Sequence, residues 1–193
     1  MQVLETYKRA WRLFMRHPLA WILTAAVPLL LGMATCCLGL VLCVNLMREA
    51  AAAIDEERAP TLNTLFSFDH IAEDALTLVI VGGTGLILSS FGGIGGLFAG
   101  IPMIWMLCLA VDGRYPPLEA AQISVFHGLS DLGRVVPFGL FTALLGYAPL
   151  CLFLPVFIVV PVAAIAHWLL YTELRDDIEA IAEQRGFTPR SSP

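Results

Sequence analysis

The sequence predicts an all-α integral membrane protein built from helical hairpins, and three observations lead to this fold class. The chain of 193 residues is 58% hydrophobic and 14% charged, with a mean hydropathy of +0.79. Soluble domains carry about 25% charged residues. Residues 17–47, 75–111 and 135–172 contain no Asp, Glu, Lys or Arg. Apolar stretches longer than about 18 residues are typical of membrane spans.

The segment before the first apolar block predicts an amphipathic helix. Its apolar side chains recur on one helical face, and its basic side chains recur on another. A helix of this kind lies in the headgroup region of a bilayer, where aromatic side chains also concentrate. We therefore predict a lipid-headgroup interface that consists of Lys8, Arg9, Trp11, Arg12 and Arg16.

The lengths of the three blocks predict how often each one crosses the bilayer. Residues 75–111 and 135–172 would form helices of about 55 Å, which exceeds the bilayer core of about 30 Å. Each is therefore predicted to be a hairpin, with turns near residues 89–93 and 146–149. Residues 17–47 would give one tilted helix of about 46 Å, or two legs of about 22 Å that meet near residues 34–37.

Charge distribution favours six membrane segments, with five as the alternative. The basic residues near the start of the chain place the N-terminus in the cytoplasm. If all three blocks are hairpins, every polar loop and both termini are cytoplasmic, and the arginines of the loops lie inside. If residues 17–47 cross once, those arginines move outside, against the positive-inside rule.

The connectors before the second and third blocks are also predicted to be amphipathic helices. The first covers residues 61–74, and the second begins at Pro116 and Pro117. The blocks begin at residues 17, 75 and 135, and such even spacing suggests an internal repeat. Connectors of similar length would give the same spacing without a repeat. Residues 1–175 are predicted to form one transmembrane domain, and residues 176–193 a short acidic cytoplasmic tail with a helix that ends before Gly186.

Few polar side chains interrupt the blocks, and these are the candidate functional residues. Asn45 is predicted to form an interhelical hydrogen bond. His167, Tyr171 and Glu173 form a candidate polar site for a proton or ligand, with an interfacial aromatic belt as the alternative interpretation. A run of small residues that would let two helices approach closely comprises Gly92, Gly96 and Gly100.

No catalytic, cofactor-binding or metal-binding motif is recognised in the sequence. The five cysteines all lie within the apolar blocks and are interpreted as small packing residues. No basic patch with base-stacking aromatic residues is present, so nucleic acid is not an expected partner. The expected partners are the lipid bilayer and a membrane protein or a second copy of the chain.

Several short motifs carry a family resemblance. They are WRLF at residues 11–14 followed by His17 and Pro18, ERAPTL at residues 57–62, PLEAA at residues 117–121, and HWLLYTEL at residues 167–174. They resemble the uncharacterised bacterial multi-pass membrane proteins that are related to the membrane domain of glycerophosphoryl diester phosphodiesterases. The resemblance implies a bacterial inner membrane. It implies no phosphodiesterase chemistry for these residues, because the membrane part of that family is not the catalytic part.

The sequence thus favours a non-catalytic polytopic membrane protein that acts as a scaffold or accessory subunit of a membrane complex. Two other classes stay open. A small transporter or channel-like oligomer would account for the prolines inside the blocks. A lipid-modifying membrane enzyme would need clustered polar residues at the interface, for which His167, Tyr171 and Glu173 are the nearest match.

Overall fold

The computed structural model describes residues 2–34, 36–89, 105–147 and 153–190. Within these residues the chain forms α-helices, one 3₁₀ turn and no strand, which confirms the all-α prediction. In chain order the elements are α1 (Gln2–Phe14), α2 (Pro18–Ala34), α3 (Cys36–Asp55), the 3₁₀ turn (Thr64–Phe66), α4 (Ile71–Ser89), α5 (Met106–Asp112), α6 (Pro117–Ser130), α7 (Leu132–Tyr147) and α8 (Phe153–Gln184).

These elements belong to two compact units. The first unit contains Met1–Ile71 and Thr142–Leu170, and the second contains Ala72–Phe141 and Tyr171–Pro193. Helices α1, α2 and α3 lie in the first unit with the 3₁₀ turn. Helices α4, α5, α6 and most of α7 lie in the second. Helix α8 contributes its beginning to the first unit and its end to the second.

In the first unit, α2 and α3 are separate helices that pack against each other. The first ends at Ala34 and the second begins at Cys36, within residues 34–37, where the sequence predicted a turn; residue 35 lies outside the described residues. Small and branched apolar side chains fill the contact, and the 3₁₀ turn closes one side of it. The buried cluster comprises Ala25, Leu42, Leu46 and Leu65, and partly buried Val27, Leu31 and Val160 pack against it.

The predicted amphipathic helix at residues 61–74 is wrong for most of its length. The structure has only the 3₁₀ turn there, and α4 does not begin until Ile71. Side chains of α3 bind the backbone of this connector instead. Glu49 accepts the Thr61 N–H at 2.5 Å, and Asn45 Nδ2 donates to the carbonyl oxygens of Leu65 and Ser67. Because these backbone groups already have partners, a helix would gain little additional hydrogen bonding. The proposed repeat therefore does not extend to this connector.

In the second unit, a buried tryptophan organises the contact between α6 and α7. The Trp105 ring stacks with Phe138 at a centroid distance of 6.2 Å and meets the edge of His127 at 5.9 Å. The backbone N–H of Trp105 donates to Ser124 Oγ at 3.2 Å. Helix α6 begins with proline at its first position, as the sequence predicted, because proline needs no intrahelical N–H partner there.

Large apolar side chains point outward from several helices. Leu19, Leu23 and Leu30 follow one face of α2 and expose 75%, 59% and 57% of their surface. On α7, Leu140 and Leu144 are exposed in the same way. On α6, too, part of the predicted apolar face is exposed, including Leu118 and Leu129.

Most of the side chains buried inside both units are apolar, and a smaller set of polar side chains lies among them. The buried polar residues of the described structure are Thr6, Thr24, Asn45, Glu49, Asp74, Thr77, Ser124 and His127. Burying a polar group costs free energy unless it is hydrogen-bonded.

Helix α8 runs without a break from the third apolar block into the acidic tail. It ends before Gly186, whose φ of 79° is left-handed, and the Phe187 N–H bonds to the Ala182 carbonyl oxygen. This is the predicted glycine cap. The predicted domain boundary at residue 175 falls inside this helix.

One helix of the described structure, Val156–Gln184, is long and apolar enough to cross a membrane. The segments Val3–Phe14 and Pro18–Leu31 reach that length and apolarity only when they are taken together, and they are bent by 100° relative to each other. Residues 90–104, at the centre of the second predicted hairpin, lie outside the described residues, as do residues 148–149 of the turn predicted at residues 146–149. The number of membrane segments stays a prediction.

Candidate functional site

Three arginines of the first unit share one face of α1 and the turn that follows it. Arg9, Arg12 and Arg16 are three and four residues apart, so their side chains lie within about one quarter of the helix circumference. Helical hydrogen bonding continues past the end of α1, because the Met15 N–H bonds to the Trp11 carbonyl oxygen and the Arg16 N–H to that of Leu13. All three side chains are exposed.

The arginine face forms one wall of a cavity of about 390 Å³ in the first unit. We call it the basic cavity. Part of its lining is apolar and includes buried Trp21 and Leu169. Its ionisable lining residues are Arg9, Arg12, Arg16, His17, Glu57 and Arg58. Of these, His17, Glu57 and Arg58 were not among the predicted interface residues.

The wall opposite the arginine face is held by an ion pair at the end of α3. The Arg58 guanidinium contacts the wholly buried Glu49 carboxylate at 2.5 Å and the exposed Glu56 carboxylate at 2.6 Å. The turn needed for this contact places Glu57 at a φ of 51°, where residues other than glycine are uncommon. The Arg58 N–H then bonds to the Ala53 carbonyl oxygen, which caps α3.

The surroundings of Glu49 favour its charged form. Burial alone would raise the pKa of this carboxyl group, but hydrogen bonds from Arg58, Thr64 and the Thr61 N–H outweigh burial and lower the pKa below its usual value. The carboxylates of Glu49 and Glu56 raise the pKa of the Arg58 guanidinium. The pair is therefore ionised throughout the physiological range of pH and stabilises the wall of the basic cavity.

The lowered pKa of Glu49 predicts a loss of stability in acid. An unfolded glutamate titrates near pH 4.3. Because the folded pKa lies below that value, the contribution of Glu49 is complete above the unfolded pKa and is lost as pH falls through the folded pKa. We expect the Tm to fall more steeply below about pH 4.3 in the unmodified chain than in Glu49→Gln. Thermal unfolding in mild detergent over a pH series measures this, and parallel profiles would contradict it.

Asn45 lies where the sequence predicted a buried polar contact, but its partners differ from the prediction. Its side chain is fully buried and donates to the Leu65 and Ser67 carbonyl oxygens at 2.9 and 2.8 Å. Its Oδ1 accepts a hydrogen bond from Arg48 at 2.7 Å. The residue therefore ties α3 to the following connector and does not join two helices.

The remaining predicted headgroup residues lie beside the basic cavity. Lys8 forms an exposed ion pair with Glu5 at 3.0 Å. Trp11 is 47% exposed and stacks on Phe14 at a centroid distance of 5.5 Å. An open groove of about 420 Å³ runs along this side of α1, and almost all of its surface is apolar. It is lined by Leu4, Tyr7, Lys8, Trp11 and Arg12.

The candidate polar residues of α8 have separate surroundings. His167 Nδ1 lies 2.8 Å from the Ala163 carbonyl oxygen of its own helix. The Tyr171 hydroxyl donates to Asp112 at 2.9 Å, and Glu173 is exposed. The predicted packing residues Gly92, Gly96 and Gly100 lie outside the described residues.

The second unit contains an ionic cluster that sequence reasoning missed. Asp112, at the end of α5, is 8% exposed and contacts Arg175, the Tyr171 hydroxyl and Arg114 Nε, the last at 3.3 Å. Glu179 contacts both arginines. The only sequence signal was the position of Asp112 and Arg175 at the ends of apolar blocks, where a charge is common and does not identify its partner.

Comparison of the chain with protein-family models, with curated proteins and with solved structures finds no match. The family resemblance based on the short motifs stays a prediction. The basis for a functional proposal is therefore the geometry of the helices and of the basic cavity.

Proposed function

We propose that this chain is a non-catalytic polytopic membrane protein that serves as a scaffold or accessory subunit of a membrane complex. The observation that carries the proposal is the set of large apolar side chains that point outward on α2, α6 and α7. In water, those exposed faces would form apolar patches that monomeric soluble proteins avoid. In lipid they carry no such cost, and the buried hydrogen bonds help hold the helices together.

The contacts of the polar residues support a structural role. Asn45 holds the connector, Glu49 holds Arg58, and Asp112 holds Tyr171 and two arginines. Each of these side chains is engaged within the protein, so its chemistry is used for folding. This arrangement favours a component that presents surfaces over one that transforms a substrate.

The proposed topology has six membrane segments, with the N- and C-termini in the cytoplasm of a bacterial cell. Support for it comes from α2 and α3, which pack against each other as the two legs of a hairpin would. Helix α1 has 13 residues and so a length of about 20 Å, which is too short to cross the bilayer core. Its basic face suits the cytoplasmic headgroup region, where anionic lipids attract Lys and Arg.

Cysteine labelling of intact cells tests this topology. Ser67→Cys and Ser130→Cys place a thiol in the connectors before the second and third apolar blocks, and we expect a membrane-impermeant reagent to reach neither until the membrane is opened. The unmodified chain is the control for its five native cysteines. Labelling of both positions from outside would contradict six segments and favour five, because a single crossing by residues 17–47 moves both connectors across the membrane.

The scaffold role is tested by purification in mild detergent and by reconstitution. We expect a defined membrane protein, or a second copy of the chain, to co-purify at a fixed ratio. Purified protein in proteoliposomes is expected to give no flux of ions above that of empty vesicles. A flux that disappears in His167→Ala would contradict the proposal and favour the small transporter or channel.

A further inference from the structure

We infer that the basic cavity binds the phosphate group of an anionic phospholipid, whose acyl chain lies along the neighbouring groove of α1. The inference rests on the proposed membrane location of this face. The group that the basic cavity would bind, a phosphate ester, also occurs in soluble phosphorylated compounds. The groove is the feature that favours a lipid.

The first argument is the charge of the basic cavity. Within the described structure, Arg12 and Arg16 have no carboxylate within ion-pair distance, whereas Arg58 already contacts Glu49 and Glu56. Two guanidinium groups one helical turn apart present paired N–H donors to the same volume. Such forked donors match phosphate oxygens and form charge-assisted hydrogen bonds.

The second argument is the shape of the surface around Arg12. This residue lines both the basic cavity and the apolar groove that contains Leu4 and Trp11. A volume of about 390 Å³ lies in the range of small-ligand sites, about 300–1,000 Å³. A polar cavity joined to an apolar groove complements a molecule that has a charged head and an apolar chain. A soluble phosphate ester would use only the first part.

The third argument is that the wall of the basic cavity is preorganised. The Glu49–Arg58 pair and the capping turn hold residues 57 and 58 against the arginine face. Preorganised sites lose less conformational freedom on binding. Glu57 is the one carboxylate in the lining, and its charge opposes that of the ligand. Its removal should therefore strengthen binding.

Native mass spectrometry of the full chain in neutral detergent tests the inference, with short-chain phosphatidylglycerol as the lipid probe and glycerol phosphate as the soluble probe. We expect phosphatidylglycerol to bind to the unmodified chain. The double variant Arg12→Gln/Arg16→Gln should weaken this binding by about tenfold or more, because it removes the charged hydrogen bonds to the phosphate. Glu57→Gln should tighten it.

Arg190→Gln is the matched control for charge. Arg190 is a partly exposed arginine of the second unit that pairs with Glu73, and we expect its removal to leave phosphatidylglycerol binding unchanged. Equal losses in Arg190→Gln and in the double variant would overturn the basic cavity as the site. Arg12, Arg16 and Arg190 are exposed, so the double variant and the control should both fold. Their Tm values verify this.

The two probes distinguish a lipid from a soluble ligand. We expect glycerol phosphate to bind at least tenfold more weakly than phosphatidylglycerol, because the groove contributes apolar contact, and Leu4→Ser should weaken only the lipid. Equal affinity for both probes would overturn the lipid and leave a soluble phosphate ester. These measurements do not depend on topology, so their failure is distinguishable from failure of the labelling experiment.

Discussion

Arg58→Met is expected to lower the free energy of unfolding of the first unit by about 3 kcal/mol. The Glu49 side chain is wholly buried, and Arg58 supplies its counter-charge at 2.5 Å. When the guanidinium is removed, the buried carboxyl group either keeps its charge with only the hydrogen bonds from the connector or takes up a proton, and both cost free energy. The expected decrease in the free energy of unfolding lies at the low end of the usual range, because the Arg58 side chain is 30% exposed and water reaches the site. Reversible unfolding in mixed micelles measures the effect.

Two controls separate the buried charge from the loss of a contact. Glu49→Leu combined with Arg58→Met should cost less than Arg58→Met alone, because no unpaired charge remains. Lys8→Met breaks an ion pair whose side chains are 57% and 58% exposed, and it should change stability by at most about 0.5 kcal/mol. A double variant that is less stable than Arg58→Met would contradict this account.

Asp112→Ala is expected to destabilise the second unit by about 3 kcal/mol. The carboxylate is 8% exposed and receives hydrogen bonds from Tyr171 and Arg175, while Arg114 Nε lies 3.3 Å away. Its loss leaves a buried hydroxyl without its acceptor, and only Glu179 then remains as a carboxylate that contacts both arginines. The second unit should then unfold at lower denaturant in mixed micelles, with the change followed by the fluorescence of buried Trp105.

Graded variants test whether Asp112 acts through these contacts. Tyr171→Phe removes one hydrogen bond and should cost about 1 kcal/mol. Glu73→Ala removes a carboxylate whose pair with Arg190 is 46% exposed on each side, and it should cost at most about 0.5 kcal/mol. If Asp112→Ala is no more costly than Glu73→Ala, the cluster is not a stabilising feature of this unit.

The helical fold was predictable because the hydropathy of a segment is a local property of the sequence. A run of more than 30 residues without a charge leaves few structures that satisfy their own backbone, and an α-helix is the simplest of them. The amphipathic spacing of α1 and the prolines that open α6 are equally local signals. All three predictions agree with the structure over the described residues.

The connector at residues 61–70 shows where local pattern fails. Its spacing of apolar residues suits a helix, but its backbone groups bond to side chains of α3 that are more than ten residues earlier in the chain. The periodicity of a segment carries no information about partners outside it. The same limit applies to Asn45. Its burial was predicted correctly, but its hydrogen-bond partner was predicted to lie on another helix and lies in the connector.

The basic cavity was predictable in part. The spacing of Arg9, Arg12 and Arg16 along the chain is sufficient to place them on one helical face, because residues three and four apart are neighbours on a helix surface. The sequence could not show that the turn at Glu57 and Arg58 returns to that face, because this depends on how α1, α2 and α3 pack within the first unit.

The sequence by itself determined that this protein is helical, which segments are apolar enough for lipid, and which face of α1 is basic. Each of these properties depends on neighbours within one or two helical turns, so the order of residues is sufficient to show it. Only the tertiary structure decided which charges are paired. Glu49 with Arg58, and Asp112 with Tyr171 and Arg175, meet because packed helices bring distant residues within 4 Å. The first of these pairs positions Arg58 in the lining of the cavity where we place a phosphate.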